Sequence, residues 1–505
     1  MYSNARHIQK RISYPTPRLC LCMAILVNGI ISSAISQTIE IHLATDLGPA
    51  KYKAAGFLHG FSNDGQSPPD ALVKPLNIQW MRYQPRLPMA DRFKALGIPI
   101  KNQMIVLSDA WGYRNDPSRN NYADWEQFIV NTVNTFKNAG YHPGYDIWNE
   151  SDETQFWSFS REIWNEAWRR AYLKIRATDP DAYVCGPSFG DWVFGSSGMN
   201  DFMSYAMANN VVPDILCWHF PANYVSESNA AWQFIKANNL NVKKVVTNEF
   251  IEGTEYAGTT LNHLCNVERS SFDGAMHACW DNHCFDASLD GILIPNGGTP
   301  QKTGKWWIYE RYAQMSGQVV ETVPNSSINL FAVKNSTTGE AAALFGCECD
   351  GSSMTITLKI SGLSSAPYLV NNGKVHARVE RMSEYHTVPL PDGNVKVDFD
   401  SDLAVENDIV TLAYPYNSKH NVCYLTLSRP GGAVKVSPYS QTAAGYALHA
   451  NPATYTIVNM RGEIVRKQAT GETRCQTLPG GMYLRVALDA AGRKYMAGRE
   501  AIGVR

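Results

Sequence analysis

Short apolar runs alternate with longer segments of helical periodicity between residues 54 and 317. Short runs bounded by Gly, Pro and Asn are typical of buried strands, whereas apolar residues that recur every three or four positions are typical of amphipathic helices. Strands are predicted at residues 55–61, 78–83, 98–107, 145–149, 183–187, 215–220, 242–248 and 275–280. The helices predicted between them include 125–138, 160–178, 201–209, 229–238 and 262–273. Eight such units over about 260 residues predict an α/β fold, the (β/α)8 TIM barrel.

The pattern changes after Gly317. Residues 319–428 alternate apolar and polar positions between clusters of Gly, Asn and Ser, which predicts an antiparallel β-sandwich. A Pro-Gly-Gly linker follows, and the tail repeats the strand and turn pattern of a small β module. The predicted division is a signal peptide at 1–36, the barrel at 37–320, the sandwich at 321–430 and the C-terminal module at 431–505. Residues 37–47 are a further candidate strand for the sandwich.

The N-terminus has the organisation of a secretory signal peptide. Basic residues precede an apolar run at 19–31, and the small residues Ala34 and Ser36 stand before Gln37. This predicts a secreted, cell-surface or periplasmic protein. No later stretch approaches the roughly 20 apolar residues that cross a bilayer, so no transmembrane segment is expected in the mature chain.

Composition narrows the range of partners. A net charge of −1 with 18% charged residues leaves no basic bias, which argues against nucleic acid. The 13 Trp and 25 Tyr are compatible with sugar-stacking surfaces, although core packing is the usual role of such residues.

The tetrapeptide Ile-Trp-Asn-Glu occurs twice, ending at Glu150 and at Glu166. The first copy ends a predicted strand and precedes a polar loop, whereas the second lies inside the predicted helix 160–178. A carboxylate at the C-terminal end of a barrel strand lies on the face that carries catalysis in this fold. Glu166 is expected on a helix surface. Glu150, with Asn149 beside it, is therefore the predicted site residue.

A second carboxylate, Glu249, ends the seventh predicted strand. Carboxylates on strands four and seven can converge across the barrel mouth, as glycoside hydrolysis requires: one protonates the departing oxygen and the other acts at the anomeric carbon. A separation of about 5 to 5.5 Å gives retention of configuration and about 6.5 to 9.5 Å gives inversion. Glu252 and Glu255 follow in a loop, where carboxylates are usually solvated.

This arrangement resembles the clan of retaining (β/α)8 glycoside hydrolases over residues 54–317. Family 39 is the nearest resemblance, through the barrel, the sandwich and the segment 299–317. The segment 56–60 and the Asn-Glu-Phe at Glu249 also resemble family 86, the agarases and porphyranases. The resemblance implies that Glu150 is the acid/base and Glu249 the nucleophile, with no cofactor or metal. It also implies a raised pKa for Glu150 and an ionised Glu249.

Further substrate-binding residues are implied at other strand ends. Arg82 resembles the clan's second-strand arginine, which keeps the nucleophile ionised, and His219 resembles the sixth-strand histidine near the nucleophile. Trp280 resembles the aromatic floor of the sugar site, and Asn149 would donate to the hydroxyl beside the anomeric carbon. His59, Asp109 and Trp111 are candidates from their positions near strand ends. A structural ion pair, a core histidine and core tryptophans are the alternative roles.

The tail resembles the C-terminal sorting domains of type IX secretion, which carry a Leu-x-x-Gly-x-Tyr run like that at 478–483. Secretion machinery is thus an implied partner, and a generic accessory module is the alternative. The resulting hypothesis is a secreted retaining glycoside hydrolase of polysaccharides or oligosaccharides. Its rivals are a catalytically silent carbohydrate-binding or surface protein, an endo-acting agarase-like or porphyranase-like enzyme, and a polysaccharide lyase, for which the expected basic cluster is missing.

Overall fold

The computed structural model describes residues 36–250, 255–278, 287–294, 299–349, 354–384, 390 and 395–431, together with the backbone of four strands in the tail. Within these residues, no helix is both long enough and apolar enough to span a membrane. The predicted signal peptide, apart from its last residue, lies outside the described residues. So do Trp280, Glu252 and the start of the sorting-like run.

Eight parallel strands of the described chain close into a barrel, which confirms the predicted TIM fold. Strand β1 (Ser36–Pro49) precedes the barrel and lies in another sheet. The barrel strands are β2 (Gly56–Leu58), β3 (Trp80–Tyr83), β4 (Gln103–Val106), β5 (Gly144–Asp146), β6 (Tyr183–Phe189), β7 (Ile215–His219), β8 (Lys244–Phe250) and β9 (Gly274–His277). A short hairpin, β10 (Leu293–Ile294) and β11 (Gln301–Lys302), follows them.

Helices surround the barrel. They are α1 (Asp70–Val73), α2 (Leu87–Ala95), α3 (Leu107–Trp111), α4 (Ala123–Asn138), α5 (Arg161–Thr178), α6 (Ser197–Ala208), α7 (Tyr224–Ala237), α8 (Ala257–Arg269) and α9 (Gly304–Gln314). The five predicted helices correspond to α4 through α8. Helices α6 and α7 begin earlier than predicted because the side chains of Ser196 and Asn223 accept hydrogen bonds from first-turn backbone N–H groups.

Apolar side chains fill the N-terminal end of the barrel interior. They form a buried cluster of Trp80, Met104, Cys185, Ile215, Cys217, Val246 and Met276. Gly274 leaves the space that the Trp80 indole occupies, since a Cβ there would lie 2.1 Å from Nε1. Because this end is closed by packing, polar side chains gather at the opposite, C-terminal end of the strands.

A nine-stranded sheet forms the second domain, which confirms the predicted β domain after the barrel. Its other strands are β12 (Gln318–Val323), β13 (Ile328–Asn335), β14 (Glu340–Cys347), β15 (Met354–Ser361), β16 (Lys374–Ser383), β17 (Lys396–Ala404), β18 (Ile409–Tyr416) and β19 (Asn421–Ser428). Their order is β17-β16-β19-β14-β13-β12-β1-β15-β18. Pairing is antiparallel except between β1 and β15, which run parallel. The start of the described chain thus joins the sheet that its C-terminal half builds.

The described backbone of the tail forms a four-stranded antiparallel sheet. Its strands are β20 (Thr454–Asn459), β21 (Ile464–Ala469), β22 (Gly481–Leu488) and β23 (Lys494–Ile502).

Candidate active site

Glu150 and Glu249 converge at the C-terminal end of the barrel. Glu150 follows β5 and is 5% exposed, whereas Glu249 lies in β8 and is 1% exposed. One carboxylate oxygen of each residue and a ring nitrogen of His219 all lie within 4.8 Å of one another. The fold therefore brings together two buried carboxylates that are about 100 residues apart in the sequence, as a TIM barrel does with residues from different strands.

Arg82, on β3, connects these groups. Its Nε donates to Asp146 Oδ2 at 2.7 Å, its Nη2 donates to Asn149 Oδ1 at 2.7 Å, and its Nη1 is paired with Glu249 Oε1. Burial alone would lower the pKa of Arg82, but Asp146 and Glu249 raise it above its ordinary value. Arg82 therefore remains a cation and fixes the Glu249 carboxylate.

The second oxygen of Glu249 is left without a hydrogen bond. Glu249 Oε2 is buried and accepts none from the described residues. The Nδ1 atom of His219 lies 3.6 Å away, beyond ordinary hydrogen-bond distance. A carboxylate with one oxygen fixed and the other open is arranged to act on a bound molecule.

His219 lies closer to Glu150 than to Glu249. Its Nδ1 is 2.7 Å from Glu150 Oε1, and its buried Nε2 has no partner within the described chain. The resemblance implies a histidine near the nucleophile, and this ring contacts the acid/base candidate more directly.

In the free site, the pKa shifts of Glu150 and Glu249 are the reverse of the predicted ones. Burial raises the pKa of Glu150, but the hydrogen bond and charge of His219, together with Arg82, outweigh it, so the pKa lies below its ordinary value. Burial raises the pKa of Glu249 above its ordinary value despite the opposing charges of His219 and Arg82. The prediction of a raised pKa at Glu150 was wrong for the free protein because it did not include a hydrogen bond from His219.

A polar network lies behind the carboxylates, and sequence reasoning missed it. Asp146 accepts from Ser188 Oγ at 2.7 Å and from Asn248 Nδ2 at 3.2 Å, besides Arg82. All three residues of this network are fully buried. The available signal was a charged residue inside an apolar strand, since a buried charge needs a partner.

The backbone at several strand ends adopts left-handed conformations. Glu150 has φ of 46°, Ser188 of 57°, Phe220 of 42° and His59 of 58°. Such angles in non-glycine residues cost on the order of 1 kcal/mol or more each and gather at functional sites. The Glu150 N–H donates to the Ser188 carbonyl at 2.8 Å, which joins two of these residues.

A cavity of about 240 Å³ opens beside Glu249. It is lined by Leu58, His59, Arg82, Gln84, Asp109, Tyr113, Asn149, Phe156, Glu249 and Asp290. Sequence reasoning had singled out His59, Arg82, Asp109, Asn149 and Glu249 from this lining. His59 Nε2 lies 3.5 Å from Asp109 Oδ2, and Tyr113 donates its hydroxyl to Asp109.

One other predicted site residue lies elsewhere. Trp111 does not belong to the lining; it packs edge-on against Trp125, with ring centroids 5.2 Å apart. Trp280 is outside the described residues. Glu166 lies on α5, where its carboxylate pairs with Arg169 and Arg170.

The expectation that Glu255 is solvated was wrong. Glu255 is 2% exposed, and its Oε2 lies 3.0 Å from His277 Nε2 and 3.1 Å from Lys305 Nζ. Burial opposes its charge, but Lys305 and His277 reverse that effect and hold its pKa well below the ordinary value. A loop carboxylate can be buried when a lysine from a later helix neutralises it.

Two groups in the described chain have the residue types and spacing of metal ligands. They are Glu150 with His219 and Glu249, and His142 with Asp179 and Asp181. In the first group, Arg82 already neutralises Glu249 and binds one of its oxygens. The second group lies away from the cavity, and His142 Nδ1 is 2.9 Å from both Asp179 oxygens.

Part of the sequence and most of the fold are similar to those of known proteins. No family model matches the sequence. A curated protein of Bifidobacterium pseudocatenulatum, 3-O-beta-L-arabinopyranosyl-alpha-L-arabinofuranosidase, is 21% identical over 418 residues, which is 66% of this chain and 42% of that protein. The chain thus spans about two fifths of this relative's length.

Solved structures resemble most of the chain. N2152 from Neocallimastix frontalis has a TM-score of 0.66 at 22% identity over 78% of this chain and 99% of its own. The GH39 enzyme from Xanthomonas axonopodis pv. citri has a TM-score of 0.57 at 14% identity, covering 80% and 99%. A monomeric beta-xylosidase from Caulobacter crescentus CB15 has a TM-score of 0.56 at 12% identity, covering 78% and 100%. The chain has a GH39-like fold, with a TIM barrel and a second β domain.

Proposed function

We propose that this protein is a retaining glycoside hydrolase in which Glu150 is the acid/base and Glu249 the nucleophile. The observation that carries the proposal is the pair of buried carboxylates with oxygens within 4.8 Å beside a cavity. An upper limit of 4.8 Å between one oxygen of each carboxylate favours the roughly 5 to 5.5 Å of retaining pairs over the roughly 6.5 to 9.5 Å of inverting pairs. The described activity of the Bifidobacterium relative supports the same reaction class.

The reaction proceeds in two displacements. In the first, Glu249 Oε2 attacks the anomeric carbon, the bond to the leaving oxygen breaks, and Glu150 gives that oxygen a proton. In the second, Glu150 takes a proton from water, the water oxygen attacks the anomeric carbon, and Glu249 is released. Arg82 keeps Glu249 oriented by holding Oε1 in both steps.

Glu150 must carry a proton before the first displacement. In the free site His219 Nδ1, 2.7 Å from Glu150 Oε1, lowers the pKa of Glu150. When substrate fills the cavity and excludes water, the ionised carboxylate is disfavoured, which raises that pKa. Glu150 is then the acid that the first displacement requires.

Asn149 binds the hydroxyl next to the anomeric carbon. Its Oδ1 accepts from Arg82, so its side-chain NH₂ group can donate to a molecule bound in the cavity. A hydrogen bond at that hydroxyl strengthens in the transition state. The substrate is a polysaccharide or an oligosaccharide derived from it. The descriptions of the relative and of one structural neighbour make arabinosides and xylosides the first compounds to test.

Replacement of either carboxylate tests the proposal. Glu150→Gln and Glu249→Gln should each lower kcat by about 10²-fold to 10⁴-fold, the contribution typical of such groups. Glu166→Gln is the matched control because it alters the same tetrapeptide on the surface of α5, and it should retain full activity. Full activity in Glu249→Gln would refute the assignment.

Chemical rescue separates the two roles. With azide and an activated aryl glycoside, a Glu249→Gly variant should form a glycosyl azide of inverted anomeric configuration, because azide replaces the nucleophile directly. Proton NMR of the wild-type product should show retention. Binding of a glycan panel without release of reducing ends would identify a silent carbohydrate-binding scaffold instead, and products that absorb in the ultraviolet would identify a lyase.

We further propose that the protein is exported through its N-terminal signal and that the tail engages secretion machinery. The tripartite N-terminus and the Leu-x-x-Gly-x-Tyr run support this route. The mature protein should begin at Gln37, which N-terminal sequencing tests. Deletion of residues 431–505 should keep the protein inside the producing cell, and secretion of the shortened protein would show that the tail is an accessory module.

A further inference from the structure

One carboxyl group in the cavity has no role in the two displacements. Asp290 lies in the segment after β9 and is 2% exposed, and its Oδ2 accepts no hydrogen bond from the described residues. Its side chain lines the cavity together with Glu249. A buried polar atom without a partner is unusual in a native protein and indicates a missing ligand or water.

The backbone holds Asp290 in an unfavourable conformation. Leu289 has φ of 48° and Asp290 of 54°. The Leu289 N–H donates to the Gly60 carbonyl at 3.0 Å, and a Cβ on Gly60 would lie 2.6 Å from Leu289 Cα. Strain of this kind persists only where surrounding contacts enforce it, so the segment presents Asp290 to the cavity at a cost in stability.

The cations that line the cavity are already engaged. Arg82 is bound to Asp146, Asn149 and Glu249, and His59 lies beside Asp109. The neighbouring sequence segments 251–254, 279–286 and 295–298 contain neither Lys nor Arg. The described lining therefore carries three carboxyl groups, on Asp109, Glu249 and Asp290. It offers no unengaged cation that could pair with a carboxylate of the ligand.

We propose that Asp290 hydrogen-bonds a hydroxyl group of the sugar bound in this cavity and that this sugar is uncharged rather than a uronic acid. This inference rests on the proposed function, because it assumes that the cavity holds the sugar whose anomeric carbon Glu249 attacks. Asp290 lines the same cavity as Glu249, and its Oδ2 has no hydrogen-bond partner among the described residues.

A uronic acid bound in this cavity would bury the charge of its own carboxylate. Removing a carboxylate from water without a partner costs several kcal/mol. A hydroxyl group has no such penalty and satisfies the orphaned oxygen. Burial also raises the pKa of Asp290 well above its ordinary value, which favours a neutral carboxyl able to donate to a hydroxyl as well as to accept from one.

The first experiment compares sugars that differ only in charge. Paired 4-nitrophenyl glycosides, such as galactoside with galacturonide and glucoside with glucuronide, are tested alongside arabinosides and xylosides. For every pair that reacts, kcat/KM should be at least about 100-fold higher for the neutral member, since an unpaired buried charge costs well over 2.7 kcal/mol. Equal or preferred cleavage of a uronide overturns the inference and leaves the hydrolase assignment intact.

The second experiment links Asp290 to a particular hydroxyl. Asp290→Ala should lower kcat/KM by about 10-fold to 100-fold on the best neutral substrate, the loss typical of a buried hydrogen bond. On the deoxy analogue that lacks the contacted hydroxyl, Asp290→Ala should cause little further loss. Equal losses on the parent and on every deoxy analogue would show a purely structural role and refute the contact.

A conservative variant and a binding assay complete the test. Asp290→Asn keeps a polar group at the same place and should recover most of the activity lost in Asp290→Ala, whereas Glu166→Gln should behave as wild type.

Saturation-transfer NMR with D-xylose, L-arabinose, D-galactose and D-galacturonic acid measures binding without turnover. Binding of neutral sugars by a protein that hydrolyses nothing would sink the proposed function but not the preference of the cavity for uncharged sugars. Preferential binding of the acid, or no binding of any neutral sugar, would sink the inference.

Discussion

His219 sets the proton balance between the two carboxylates. Its Nδ1 lies 2.7 Å from Glu150 and 3.6 Å from Glu249, so one imidazole acts on both groups. His219 lowers the pKa of Glu150 and also lowers that of Glu249, although burial is the largest single influence on each. The pH dependence of the reaction should therefore follow from this residue.

His219→Asn should move both limbs of the kcat/KM profile to higher pH by about 1 to 2 units, the size of shift that a nearby charge typically causes. The kcat/KM profile reports the pKa values of the free enzyme, and removal of a cause that lowers the pKa of both Glu150 and Glu249 raises both limbs. The limbs belong to the coupled pair rather than to either residue alone.

The profile should be measured on a variant that remains folded, as checked by its melting curve. His142→Asn is the control because His142 pairs with Asp179 away from the cavity, and its profile should coincide with that of the wild type. Limbs of His219→Asn that stay in place would show that His219 does not control the pKa values of the two carboxyl groups.

The residues that end the predicted strands could be identified from the sequence. The order of strands in a barrel fixes their ends on one face, so Arg82, Asn149 and Glu249 could be brought together without a structure. Asp290 could not, because it lies in a loop whose path depends on Gly60 and on its own strained backbone. Tyr113 was likewise missed, since its contact with Asp109 depends on the turn after α3.

At the level of elements, two loops are joined beside Glu150. Asp152, in the loop after β5, accepts hydrogen bonds from the backbone N–H groups of residues 190–192, which follow β6, at 2.8 to 2.9 Å. This connection brings Gly190 against the catalytic side chain. A Cβ at Gly190 would lie 3.2 Å from Cγ and Cδ of Glu150, closer than most real contacts allow.

Gly190→Ala should therefore displace the Glu150 carboxyl and lower kcat by about 10-fold to 100-fold, because small misplacements of a catalytic group are costly. The melting temperature should change little, since the three atoms nearest to the added methyl group all belong to this side chain. The control is the same substitution in a Glu150→Gln background, where it should cause no further loss. A drop of equal size in both backgrounds would show that Gly190 acts through something other than Glu150.

The elements themselves were largely predictable, with some exceptions. Apolar runs locate all eight barrel strands, whereas the early starts of α6 and α7 depend on caps at Ser196 and Asn223. The parallel pairing of β1 with β15 joins residues more than 300 positions apart. Local periodicity holds no information about such a pairing.

At the scale of the whole molecule, the barrel and the second sheet meet around α9. Lys305 Nζ reaches Glu255, in the barrel part of the chain, and its backbone N–H donates to Glu384 Oε2, just after β16, at 3.2 Å. Arg311 on the same helix pairs with Glu380 of β16 at 2.8 Å. The helix thus fixes one domain to the other through buried charges, and breaking such pairs on one side is strongly destabilising.

Glu384 should make this junction sensitive to pH. Burial raises its pKa to about 6 from the ordinary 4.5, with Lys305 opposing the shift. Between pH 4.5 and 6 the folded protein holds a proton that the unfolded chain has lost, so stability falls as pH rises through this window. The loss amounts to about 2 kcal/mol, since one pKa unit corresponds to about 1.4 kcal/mol.

Glu384→Gln removes this proton while its amide oxygen can still accept from the Lys305 N–H. The free energy of unfolding of the variant, measured by denaturant titration at several pH values, should lack the fall of about 2 kcal/mol that Glu384 gives the wild type between pH 4.5 and 6. Glu406 lies at an exposed turn of the second sheet, so the free energy of unfolding of Glu406→Gln should have the same pH dependence as that of the wild type. If the free energy of unfolding of Glu384→Gln also has the pH dependence of the wild type, the carboxyl group is ionised at the domain junction throughout this range. Its charge is then controlled by Lys305 rather than by burial.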